Sequence, residues 1–211
     1  MILNKVLNSV DREELIPIIN QMSLFCSKMM ARKPTGSEIQ QAFVLDTIFK
    51  NIGLNKTVPI LSVGCDEDTA YEFLRLRGYL IAGIDPSINY SLRTYINENQ
   101  TASFPIIFST SVIEHVENDE EFIEDICKIL SPNGVVILTC DFNNDYVTGR
   151  MKKPDQDFRF YTIQDLQTRL KNVLDKNSCS LISPCDWSGT PNFAFCDCHY
   201  SFATYVFSKN L

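Results

Sequence analysis

Three short groups of residues have the types and spacing to hold a ligand. Val63-Gly64-Cys65 leaves the apolar run that starts at Pro59, and a glycine at that exit lets a ligand approach the backbone. Asp85 follows Gly64 by 21 residues, at the end of the next apolar run and just before Pro86-Ser87. A carboxylate in that place can accept both hydroxyls of a ribose, although Asp85-Pro86-Ser87 read alone fits a plain turn and helix cap equally well. Ser109-Thr110-Ser111 leaves a third run with small polar side chains suited to lining a site. Ligands of doubly wound sheets gather at the carboxyl ends of the central strands. Together, the three exits predict a nucleotide-like cofactor.

Residues for a second substrate follow. His115, in Val112-Ile113-Glu114-His115-Val116, falls a few residues past the third exit, and its ordinary pKa suits a general base for a hydroxyl. Its plainer role is to cap or pack the next helix. Asp141 opens Asp141-Phe142-Asn143-Asn144-Asp145 and could serve as a base or a metal ligand. Arg159 and Tyr161 could bind hydroxyls or a carboxylate. Trp187, the sole tryptophan, could stack on a sugar or fill a gap. The aromatic-rich segment from Trp187 to Tyr200 is a candidate lid or dimer contact.

The elements that must position these groups follow from periodicity. Leu15, Ile18, Ile19, Met22 and Phe25 recur at helical spacing. Ser37 should cap a second helix, with Gln40 at the capping-box position, and that helix should end near Gly53. From Pro59 onward, apolar strands at 59–63, 79–84, 104–108 and 135–140 alternate with helices, one of them capped by Asp68 and another opened by Asn118. Ser131-Pro132-Asn133-Gly134 reads as a turn. Such alternation means a parallel sheet covered on both faces. After a helix capped by Thr162, two strands at 178–183 and 200–208 have no helix between them, which predicts an antiparallel pair at one end. The whole reads as one domain, with a helical cap at 1–55 and a Rossmann-like α/β core at 56–211.

The run Ile60-Leu61-Ser62-Val63-Gly64-Cys65, then Gly83-Ile84-Asp85, then Glu114-His115-Val116, then Leu130-Ser131-Pro132-Asn133-Gly134 resembles the class I S-adenosylmethionine-dependent methyltransferases, in the branch whose signature runs EHV then LxPGG. The likeness spans about residues 58–142. It implies S-adenosylmethionine as cofactor: the loop at Val63, Gly64 and Cys65 on its methionine part, Asp85 and Pro86 at the ribose, and Ser109, Thr110 and Ser111 toward the methionine end. An acceptor atom would attack the sulfonium methyl in line, and the protein would mainly align and desolvate. Glu114, Arg159, Tyr161 and Trp187 would face the acceptor, with His115 and Asp141 as catalytic candidates. Some sugar methyltransferases bind magnesium, and Glu114, Asp141 and Asn144 are the residues that could do so here; a polar loop is the favoured reading.

The chain departs from that pattern twice. The glycine loop continues as Asp66-Glu67-Asp68 where the family has further glycines. The stretch from Gly83 to Ser109 is 27 residues, where one βαβ unit takes roughly 30, so the family's third strand should be missing or vestigial. Adenine would then be covered by Ile88, Asn89 or a partner subunit.

Composition narrows the partners. A net charge of −7 argues against nucleic acid. No apolar stretch reaches bilayer length, and the start has no apolar core of signal-peptide length, so a cytoplasmic location is expected. The eight cysteines are then expected to be reduced. Cys185, Cys196, Cys198 and His199 lack the paired C-x-x-C spacing of common zinc sites. The expected activity is O-methylation of a small-molecule or sugar hydroxyl. The alternative is a non-catalytic binding or scaffold protein on the same fold. A nicotinamide enzyme is disfavoured because the loop lacks G-x-G-x-x-G.

Overall fold

The computed structural model describes residues 2–210. Residues 2–8 run extended, which helical periodicity did not foresee. Strand β1 (Asn4–Lys5) pairs with a late strand, and the Asn4 side chain exchanges two hydrogen bonds with the Val206 backbone. Helix α1 (Ser9–Phe25) is closed by a capping box between Asn8 and Asp11. Helices α2 (Ser27–Met30) and α3 (Glu38–Ile52) follow. Ser37 does not cap α3: its hydroxyl donates to Pro34 O at 2.8 Å, while Glu38 Oε2 accepts the Gly36 N–H at 2.7 Å.

The core then alternates β2 (Ile60–Val63), α4 (Thr69–Leu76), β3 (Ile81–Ile84), α5 (Leu92–Glu98), β4 (Phe104–Thr110), a single turn at Ile113–His115, α6 (Asp119–Ile129) and β5 (Leu130–Phe142). As expected, Asp68 caps α4 by accepting the Tyr71 N–H, and Asn118 caps α6. Ser131-Pro132-Asn133-Gly134 is a bulge inside the span of β5: Phe104 faces Leu130, and the next pairing is Ile106 with Val135. A π-helical stretch (Asp165–Leu170) runs into α7 (Lys171–Lys176), started by reciprocal hydrogen bonds between Thr162 and Asp165. Four strands close the chain: β6 (Cys179–Leu181), β7 (Cys185–Asp186), β8 (Phe193–Phe195) and β9 (Cys198–Lys209).

The main sheet runs β3-β2-β4-β5-β9-β6, with β8 hairpinned onto β9. Its first four strands are parallel, and β9 is antiparallel to β5 and β6. Among the described residues nothing lies outside β3, so the short path from Gly83 to Ser109 does omit a strand. Side chains alternate across the sheet with period two. Leu61, Ile107, Val136 and Tyr205 pack with Ile123, Ile126, Leu170 and Leu174 on one face. Ile60, Phe108, Ile137 and Val206 pack with Ile19, Phe43, Ile48 and Phe73 on the other. Each fully buried aliphatic or aromatic side chain contributes about 1.5–3 kcal/mol. These two layers therefore hold the strand ends in fixed register. Helix α3 is wedged among α1, α4 and the sheet, and it is buried from Glu38 through Leu45.

Candidate active site

A cavity of about 850 Å³ opens at the carboxyl ends of the parallel strands. Val63, Gly64, Asp85, Pro86, Thr110 and Ser111 line it, as do Glu114, His115 and Asp141. The sheet therefore brings nine of the sequence candidates to one hollow. Gly64 has φ +83°, and a Cβ there would sit 2.3 Å from Val112 Cγ2. The glycine is thus required by the close approach of the segment after β4 as well as by its left-handed backbone. The N–H groups of Gly64 and Cys65 both donate to Ile84 O, which ties the exit of β2 to that of β3. Asp85 Oδ2 accepts the Asp66 N–H at 3.2 Å; Oδ1 accepts the N–H and hydroxyl of Ser87 at 2.8 and 2.7 Å.

The acidic run Asp66-Glu67-Asp68 divides. Glu67 turns outward to a two-pronged contact with Arg32, at 2.6 and 2.9 Å. Asp68 turns inward as the α4 cap; burial pushes its carboxyl up, opposed by the Tyr71 N–H and the nearby Lys33 charge. Asp66 stays at the rim, accepting the Ser87 hydroxyl.

Deeper in the cavity, three carboxylates converge. Glu114 is fully buried; its Oε1 accepts the Asp141 N–H at 3.2 Å, and its Oε2 has no partner. Burial pushes the Glu114 carboxyl up to about 7. Asp141 is raised well above the ordinary carboxylate range by burial and then by the charge of Glu114, and Tyr200 partly offsets this. His115 Nδ1 lies 2.9 Å from Asp157 Oδ1, an ion-pair contact and not an aligned hydrogen bond. Burial alone would lower the imidazole pKa, but Asp157 and Glu114 together raise it.

Other sequence candidates lie elsewhere. Cys65 is buried with its sulfur against Gly83, where a Cβ would come within 2.7 Å, and burial followed by the Asp85 charge raises its thiol to about 11. Ser109 is buried within β4 and does not reach the cavity. Arg159 and Tyr161 are tied to Asp119, at 2.7 Å each. Trp187 is buried, donates to Thr204 O at 3.0 Å and stacks on Tyr205. None of these three lines the cavity, because their polar atoms are committed to holding the fold. Neither Ile88 nor Asn89 lines it; Asn89 instead folds back on Asp85 N–H and Gly83 O, and Tyr90 and Leu92 take that side of the wall.

The suggested magnesium set does not assemble: Asn144 Oδ1 accepts the Ile163 N–H. Among the described residues no cluster of His, Cys, Asp or Glu is arranged for a metal ion. Cys196 and Asp197 have φ +51° and +58° and form the tight turn between β8 and β9, which explains that part of the cysteine cluster.

The structure adds residues that the sequence did not flag. Gln40 and Gln41 reach the cavity from α3, with Gln40 Oε1 accepting the Ser111 hydroxyl at 2.7 Å and Gln41 Oε1 unpartnered. Two adjacent amides within the apolar run from Ile39 to Leu45 were the available signal. Phe193, Phe195, Tyr200 and Phe202 form an aromatic wall, and the segment from Trp187 to Tyr200 supplies three of these four.

A family model described as a methyltransferase domain matches residues 19–175. The chain belongs to the class I S-adenosylmethionine-dependent methyltransferases. The chain is 25% identical to the ubiquinone biosynthesis O-methyltransferase of Rickettsia conorii over 146 residues, covering 61% of this chain and 50% of that protein. The Rickettsia prowazekii protein of the same name is 24% identical, with 49% and 48% covered. The chain thus spans about half the length of the curated relatives it matches. Among solved structures, TehB from Haemophilus influenzae aligns with a TM-score of 0.56 at 15% identity, covering 90% of this chain and 67% of that one. The [4+2]-cyclase SpnF aligns with a TM-score of 0.54 at 12% identity, covering 93% and 95%. Both show the shared fold. No helix of the described residues is long and apolar enough to cross a membrane.

Proposed function

We propose that this methyltransferase moves a methyl group from S-adenosylmethionine to a hydroxyl of a small acceptor, a sugar hydroxyl being one form of it. The observation that carries this reading is the single cavity that joins the Gly64 turn and Asp85 to Glu114, His115 and Asp141. Its volume of about 850 Å³ leaves room for a cofactor and a small acceptor together. The buried, unpartnered Gln41 Oε1 on its wall fits a polar ligand, since buried polar groups without partners are costly. The names of the Rickettsia relatives agree with oxygen as the acceptor atom.

When bound, the cofactor supplies a methyl on a sulfonium, with its own leaving group. In our reading Gly64 and Thr110 border the methionine part, Asp85 accepts from the ribose, and His115 takes the acceptor's proton with Asp157 behind it. The protein's contribution is alignment and exclusion of water. The N-terminal helices act in the same unit as the core, since α3 supplies Gln40 and Gln41. A cytoplasmic location and a homodimer closed over the aromatic wall complete the proposal.

The second reading, a binding protein without catalysis, draws on one observation: Asp85 already accepts three hydrogen bonds, two from Ser87 on its own loop and one from Asp66 on the loop after β2. The fold also hosts chemistry beyond methyl transfer. Calorimetric titration with S-adenosylhomocysteine separates the two. Binding that Asp85→Ala weakens by about tenfold or more supports the enzyme. No heat at millimolar ligand would favour the binding protein.

A further inference from the structure

The charges on the cavity wall are lopsided. Its cations are Lys33, Arg93 and His115. Arg93 is held by Glu121 and Asp125, each at 2.6 Å. Lys33 donates to Glu67 O at 3.1 Å, at the mouth. Of these three, His115 faces the inner carboxylates; off the lining, the Lys153 ammonium donates to the Asp157 backbone carbonyl. Those three, Glu114, Asp141 and Asp157, are exposed by 0%, 6% and 3%. Glu114 Oε2 and Asp157 Oδ2 have no partner at all. Leaving a buried carboxyl group of this kind without a partner is costly.

The aromatic wall adjoins this cluster. Phe202 is the cross-strand partner of Asp141 in the β5–β9 ladder. Phe193 lies 4.7 Å from Phe202 and 5.1 Å from Tyr200, centroid to centroid. Buried carboxylates beside packed aromatic faces make the surroundings that attract an organic cation, since both the charge and the ring quadrupole act in the same direction. An acceptor with a carboxylate or phosphate would meet three buried carboxyl groups and, on the lining, no free guanidinium or ammonium. A metal ion is not the match, because the described residues show no metal-holding group.

We infer that the acceptor carries a protonated amine, seated against Glu114, Asp141 and Asp157 and the adjoining rings of Phe193, Tyr200 and Phe202. This rests on the cavity being the methyltransferase site and names the class of substrate it takes. A bound cation would also keep ionised the carboxylates whose pKa burial raises. The scaffold that carries the amine is either a sugar or an aromatic ring, and the same cage chemistry serves both.

Two matched sets of ligands test it: glucosamine, glucose and glucuronate, and tyramine, tyrosol and 4-hydroxyphenylacetate. Each is titrated calorimetrically at pH 7 into the full chain, with and without saturating S-adenosylhomocysteine. The expected result is that the amine of one set binds about tenfold or more tightly than its neutral partner, and that the anion does not bind. Which set responds identifies the scaffold. Asp157→Asn and Glu114→Gln should each erase most of that preference, and Phe193→Leu, which keeps the charges, should reduce it by about threefold. Equal or tighter binding of a neutral or anionic member overturns the inference. So does a preference that survives all three variants, or no binding by any of the six compounds. Failure of S-adenosylhomocysteine to bind is a separate result that overturns the methyltransferase reading, because the preference for the amine is also measured without it.

Discussion

Gly64→Ala tests whether the glycine at the exit of β2 is demanded by the protein's own packing. The new Cβ would fall 2.3 Å from Val112 Cγ2, and the residue must keep φ +83°. Left-handed backbone costs an L-residue about 1–2 kcal/mol. Forcing a methyl group into occupied space costs about 1–3 kcal/mol. The combined loss of about 2–5 kcal/mol is a large part of a typical stability of about 5–15 kcal/mol. For a chain of this size it should lower Tm by roughly 4–20 °C. The assay is thermal and urea unfolding of the ligand-free protein, since the effect needs no cofactor. Gly64→Ala combined with Val112→Ala should recover the steric part, as a coupling of about 1–3 kcal/mol in a double-mutant cycle, while the backbone part remains. A Gly64→Ala protein within about 0.5 kcal/mol of the parent, or strict additivity with Val112→Ala, would refute the packing argument.

Two further outcomes follow from the charged groups. Asp119 is buried against Arg159, Arg169 and the Tyr161 hydroxyl, which together hold its carboxyl below the usual range despite the burial that opposes them. Asp119→Ala takes the shared carboxylate from Arg159 and Arg169, which keep the Glu117 carbonyl and the Asp165 carboxylate, and should cost about 1–3 kcal/mol in urea unfolding, with no measurable loss refuting the knot. Because that carboxyl is depressed, its contribution is present above its ordinary value of 3.8 and fades as pH falls through the lower folded value. Glu114 has the opposite sign. Its carboxyl is raised from 4.5 to about 7 by burial, so the folded state holds the extra proton and stability falls as pH rises across that window, by up to about 3 kcal/mol. The raised pKa of His115 adds a loss of the same sign above 6.5. Urea midpoints measured from pH 5 to 8 should fall in the parent and fall less in Glu114→Gln; parallel curves would refute the assignment.

The order of elements could be read along the chain because burial on both faces leaves apolar runs that nothing else explains. Gly64, Asp85 and the missing strand after it were visible as a spacing, and spacing along a parallel sheet is nearly a distance. The roles of Arg159, Tyr161 and Trp187 could not be read that way. An arginine near an active face looks the same in sequence whether it points at a substrate or, as here, at Asp119. The place of Gln40 and Gln41 at the cavity was hidden for the same reason: they come from α3, far from the strand exits in sequence, whereas the aromatic segment up to Tyr200 was visible by composition and only its position against Asp141 was not.

By itself, the sequence determined the family, the succession of strands and helices, and the three strand exits, because these depend on local pattern and on residues close together in the chain. Only the tertiary structure decided what those exits face. The antiparallel return of β9 beside β5 puts Phe202 across from Asp141, and the loop after β5 brings Asp157 to His115. Those contacts join residues tens of positions apart, and they turn a cofactor-like strand end into a cavity with a buried negative charge. Burial, which exists only in the folded chain, then moves Glu114 toward neutrality.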